Sequence, residues 1–160
     1  MANVFDTAKY ILEQSGSMSA MKLQKLCYYS QVWSLVWNDV PLFNEDFRAW
    51  ANGPVSVELF TKTKGKYLVS TSDVTGGEGD LTGEEKDTID KVLEYYGSHD
   101  AQWLSQLTQM EEPWRRARSG VPSGTGSNKV ITKKSIVAYY RRLGRYSSNR
   151  QNCDEHLLHE

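Results

Sequence analysis

One stretch constrains the fold more than any other: residues 20–37, AMKLQKLCYYSQVWSLVW. Leu23, Leu26, Cys27, Trp33 and Trp37 fall on one helical stripe, and Tyr28, Val32, Leu35 and Val36 on another. At 3.6 residues per turn, two such stripes cover most of a helix's circumference. A helix apolar on most sides has to be enclosed by protein, so this segment predicts a central, buried helix with the rest of the chain packed around it. Ser19 is placed to cap its start, and Asn38-Asp39 with Pro41 break it.

The flanking sequence supplies the enclosing elements. Asn3 caps a first helix with Asp6 at the third position, Phe5, Ala8, Ile11 and Leu12 form one face, and Gly16 ends it. Phe47–Trp50 reads as extended. Gly53-Pro54 makes a corner, with Pro54 expected in the first turn of a helix that continues through Val55, Leu59 and Phe60, where its missing N–H costs nothing. Residues 65–83 carry five glycines and read as a long surface loop. Thr82 and Glu85 form a capping box for a helix with Ile89, Val92, Leu93 and Tyr96 inward, stopped by Gly97. Ser98 is expected to cap the next helix, with Trp103, Leu104 and Leu107 inward, and Glu112-Pro113-Trp114 to restart a helical turn. Residues 119–128 read as a second polar loop and Lys129–Ile131 as extended. Thr132 caps a last long helix with Ile136, Val137, Tyr140 and Leu143 on one side, ending at Gly144. The expected architecture is mainly α: a single compact domain over residues 1–144, with six or seven helices around the buried one and at most a small β element, followed by a flexible tail over 145–160.

A chain of 160 residues fits one domain and buries roughly 70% of its unfolded surface, so it needs no staples. Five Trp and nine Tyr must fill that core or mark a binding surface. Cys27 lies in the apolar run and Cys153 in a polar tail, which argues against a disulfide framework and for a reducing compartment. No signal-peptide pattern and no apolar run near 18 residues is present, so a soluble cytoplasmic protein without membrane insertion is expected.

The chain carries almost no residue pattern suited to chemistry. Cys153, His156 and His159, with Asp154 and Glu155, are the one grouping with metal-ligand residue types, but they lie in the tail with no second shell, and no metal is expected. TGGEGD and GTGSNK match neither glycine-rich phosphate motif. Glu84-Glu85 and Glu111-Glu112 fall at helix starts, where the helix dipole accounts for them. No catalytic residue and no cofactor is expected.

Charge is distributed unevenly. Residues 1–112 hold 9 Lys and Arg against 17 Asp and Glu, whereas residues 113–150 hold ten basic side chains and no acidic one. These are Arg115, Arg116, Arg118, Lys129, Lys133, Lys134, Arg141, Arg142, Arg145 and Arg150. The asymmetry is compatible with pairing onto the acidic body, with an acidic protein face, or with nucleic acid, though no nucleic-acid-binding signature is present.

Four linked motifs then point to a family. They are the K-L-Q-K-L-x-Y-Y run at Lys22–Tyr29, P-L-F at Pro41–Phe43, A-W-x-x-G-P-V at Ala49–Val55, and T-x-x-E-x-P-W at Thr108–Trp114. In order and spacing the chain resembles the Panacea domain, the SocA-like antitoxin family that includes phage-associated GepA-like proteins. Gln109 stands where the family often has a His, so no imidazole role is carried over. The resemblance implies a mostly helical, non-enzymatic domain that neutralises a cognate toxin by binding it, or that works as an adaptor delivering the toxin to a protease. A nucleic-acid-binding regulator using residues 113–150 is the alternative of a different class. On this reading AWANGPV is a structural joint in which Trp50 packs on the central helix, Gly53 permits the turn and Pro54 starts a helix. Trp33, Pro113 and Trp114 are likewise structural. Arg48, Asn52, Arg115, Arg116, Arg118, Lys134, Arg141, Arg142 and Arg145 are the candidate partner contacts, with the arginines after Trp114 projecting outward.

Overall fold

The computed structural model describes residues 2–77 and 79–146. Its centre is α2 (Ala20–Asn38), in which every residue from Leu23 to Leu35 is buried. Around it stand α1 (Val4–Ser15), α4 (Gly83–Tyr96), α5 (Ala101–Met110) and α7 (Lys133–Tyr146), all in contact with α2, and the shorter α3 (Val57–Thr63) and α6 (Glu112–Ala117). The fold is mainly α, with seven helices among the described residues. Caps at Asn3, Ser19 and Thr82 form as the sequence predicts, the first and last with reciprocal carboxylate bonds from Asp6 and Glu85.

Five short strands complete the molecule. β1 (Met18–Ser19) pairs antiparallel with β4 (Leu68–Val69). β2 (Phe47–Trp50) lies between β3 (Gly53–Val55) and β5 (Val130–Ile131), antiparallel to both. Trp50 pairs with Gly53, so Ala51-Asn52 is a two-residue hairpin loop.

Several expectations need correction. Pro54 is in strand β3, paired with Ala49, and the following helix begins at Val57 behind a Ser56 cap. A proline is tolerated there because β3 is an edge strand that needs no N–H outward. Asp100, not Ser98, caps α5, its carboxylate accepting from the Trp103 amide at 2.8 Å. Residues 65–83 are partly ordered by β4 and a 3-10 turn at Thr71–Asp73, with Val69 and Val74 buried. Gly144 lies inside α7, which continues to Tyr146; an interior glycine costs a helix about 1 kcal/mol but does not forbid it. The rest of the predicted tail, with Arg150 and the Cys153, His156, His159, Asp154, Glu155 grouping, lies outside the described residues. No helix among the described residues is long and apolar enough to cross a membrane.

Candidate functional site

The polar residues on α2 explain the first motif. Gln24 donates from Nε2 to the Ser56 carbonyl at 2.9 Å and accepts from the Ser56 amide at 2.8 Å. Gln31, two turns on and so on the same face, does the same for the chain around Phe43: it donates to the Phe43 carbonyl and accepts from the Leu42 amide, both at 2.7 Å. Each carboxamide thus stands in for a paired strand. Lys22 reaches the Gly97 carbonyl at 2.7 Å. Lys25 is 1% exposed and donates to the Pro54 carbonyl at 3.1 Å. Burial lowers its pKa to about 7, because the desolvated ammonium is disfavoured.

The T-x-x-E-x-P-W motif docks onto the same place. Trp114 donates its indole N–H to the Trp50 carbonyl at 2.9 Å. Ser105 donates to the Asn52 carbonyl, and Gln109 donates to Ser105 Oγ at 3.1 Å. Glu111 is 1% exposed, and its Oε1 accepts from both Tyr29 at 2.6 Å and Tyr140 at 2.5 Å. Burial first, and then the Glu111 charge, push the Tyr29 and Tyr140 hydroxyls well above the usual tyrosine range. The helix-start reading of Glu111 is therefore incomplete: it ends α5 and begins α6, but its carboxyl group faces inward to α2 and α7. Tyr29 stacks on Tyr96 with 4.1 Å between ring centres, and Trp33 donates to the Tyr96 hydroxyl at 2.9 Å. Trp33 is the largest of the fully buried side chains.

Trp50 departs from its expected place. Its ring meets Phe60 of α3 edge-on at 5.0 Å, its Nε1 donates to Asn128 Oδ1 at 3.0 Å, and it lines a cleft of about 790 Å³ instead of joining the core cluster. The cleft opens between the start of α2, the β2–β3 hairpin, α3 and residues 126–128. Gly53 does permit the turn, at φ +115°. A Cβ there would come within 2.7 Å of Lys25 Cε and 2.9 Å of Thr108 Oγ1.

The basic residues do not act as one patch. Arg118 is 5% exposed and points inward, which corrects its outward placement. Its guanidinium donates to the carbonyls of Ala49 at 2.8 Å, Pro122 at 3.2 Å and Thr125, pinning the 119–128 loop to β2. Arg141 pairs with Asp39 at 2.7 Å, and Arg48 donates to the Asn128 carbonyl at 3.0 Å. Arg116 and Arg142 approach the two oxygens of Glu112 at 3.8 Å each, bringing cations of α6 and α7 together on the surface. Arg115, Lys134 and Asn52 are exposed. The side chain of Arg145 lies outside the described residues.

The fold defines a class: a helical domain in which three of the four sequence motifs converge on one joint, where α2, the hairpin and the α5–α6 junction meet. The family model described as antitoxin SocA-like, Panacea domain, matches residues 23–115. That is more than half of the chain, and the chain belongs to this family, which supports a role related to a toxin–antitoxin system. Neither a curated protein nor a solved structure shows significant similarity.

Two features escaped sequence reasoning. Lys25 drew no reading of its own, and Glu111 looked like a dipole partner. The only signal for either was a charged residue inside a family motif.

Proposed function

We propose that this protein is an antitoxin that neutralises a protein toxin by binding it directly, without catalysing a reaction. The observation that carries the reading is the convergence of Arg116 and Arg142 on Glu112, beside exposed Arg115, on the surface that follows the T-x-x-E-x-P-W motif. Exposed pairs at 3.8 Å contribute little to folding, at most about 1 kcal/mol. These cations are therefore available to an acidic toxin face, where desolvation would strengthen the attraction. Arg141 is less available, being held by Asp39 at 2.7 Å.

The test is co-expression with the product of the neighbouring gene, scoring growth and co-purification. Replacing Arg115, Arg116 and Arg142 together by Glu is expected to abolish both rescue and co-elution while the melting temperature is preserved. Unchanged rescue by a folded triple variant removes this face from the interface. Rescue without a complex, with the toxin disappearing, favours the proteolytic adaptor. A neighbour harmless to growth, together with salt-sensitive binding of the protein to nucleic acid, favours the regulator.

A further inference from the structure

The cleft beside the hairpin has features that holding the fold together does not require. Its volume of about 790 Å³ lies within the range of small-molecule sites, roughly 300–1,000 Å³. Its walls include Met21, Trp50, Val55 and Phe60, and Lys25 is the one charged residue among those lining it. Met21 and Phe60 are large apolar side chains left exposed at this opening.

Lys25 is held there by construction. Among the described residues its ammonium meets one hydrogen-bond acceptor, the Pro54 carbonyl at 3.1 Å, whereas an ammonium carries three donors. Among the described residues it forms no ion pair. Residue 53 has to be glycine for the Lys25 methylenes to lie where they do, since a Cβ would meet Cε at 2.7 Å. The other polar lining groups are mostly spent within the protein. Gln24 is used twice by Ser56, and Asn128 accepts from Trp50 through Oδ1 and from Arg48 through its carbonyl.

We propose that this cleft is a binding site for a small apolar carboxylic acid, its hydrocarbon part lying against Trp50 and Phe60 and its carboxylate taken by Lys25. A carboxylate supplies the acceptors and the negative charge that the buried amine lacks, and the aromatic and aliphatic walls exclude water from the pair. The inference stands apart from the antitoxin reading, because it rests on other residues and needs no toxin.

The test uses the full chain and four probes: 4-phenylbutyrate, its amide, N-acetyl-Ala-Phe and the amide of that dipeptide. Binding is followed by calorimetry and by the indole N–H resonance of Trp50, assigned with Trp50→Phe. The expected result is saturable binding of 4-phenylbutyrate at least ten times tighter than of its amide, and no weaker than of the dipeptide. Lys25→Met is expected to erase the acid–amide preference. Phe60→Glu, a substitution at an exposed position that leaves folding readable, is expected to weaken the acid at least tenfold by removing an apolar wall and placing a like charge at the rim. Equal binding of acid and amide, or no saturation up to about 10 mM, which corresponds to weaker than about 3 kcal/mol, overturns the proposal. Tighter binding of the dipeptide overturns it in favour of a polypeptide chain end.

Discussion

Tyr140 on α7 donates to Glu111 Oε1 at 2.5 Å, and the same oxygen accepts from Tyr29 on α2 at 2.6 Å. One carboxyl group thereby joins the last helix to the central one through the α5–α6 junction. The exposed basic side chains of α7 are positioned by this internal bond, because Arg142 is only two residues from Tyr140.

Removing either hydroxyl should loosen that joint. Tyr140→Phe is expected to destabilise the protein by about 2 kcal/mol, the scale of a buried hydrogen bond to a charged acceptor. Because Tyr29→Phe deletes a bond to the same oxygen, the double variant should not show the sum of the singles. Urea denaturation of the four proteins checks this; strict additivity would mean that the two bonds are independent.

Gly53→Ala should be costly for two separate reasons. The backbone sits at φ +115°, and the added methyl would strike Lys25 Cε and Thr108 Oγ1. Strain of this kind costs about 1–3 kcal/mol before the overlap is counted, so a loss of at least about 2 kcal/mol is expected in thermal or urea unfolding. Gly124→Ala, at φ +80° with open space around it, should cost less.

Lys25 should leave a signature in the pH dependence of stability. Its folded pKa is about 7 against 10.5 for the free side chain, so between these values the unfolded chain binds a proton that the native state does not. Stability therefore rises with pH across the window from about 7 to 10.5, by up to about 5 kcal/mol for a shift of that size. Lys25→Met should remove most of the slope and be more stable than the parent at pH 6. Parallel profiles for parent and variant, measured by urea unfolding from pH 6 to 9.5, would show that the amine is not desolvated.

Arg118 should behave unlike its neighbours. Arg118→Ala removes three bonds to carbonyls in and beside the 119–128 loop and is expected to cost about 2–4 kcal/mol, with faster amide exchange across that loop. Arg115→Ala and Arg116→Ala, at exposed positions, should stay within about 0.5 kcal/mol. Similar losses for all three would contradict the inward placement of Arg118.

The sequence by itself determined the elements governed by near neighbours. The double apolar stripe of residues 20–37 was enough to make α2 the buried centre, and caps at Asn3, Ser19, Thr82 and Thr132 were readable because a side chain reaches the amide three residues on. The family motifs were readable as spacing. Tertiary structure alone decided what those motifs do. Nothing within four residues of Glu111 announces that Tyr29, 82 positions earlier, and Tyr140, 29 positions later, will close on it. Pro54 looks the same before a helix as on an edge strand, until β2 pairs with it. Arg118 reads as a surface cation, and Lys25 has no reading of its own, until the Ala49 carbonyl, 69 positions from one, and the Pro54 carbonyl, 29 positions from the other, take them inside. Periodicity and caps report energies set within one helical turn. The burial of a charge depends on partners that the folded chain brings from far along the sequence.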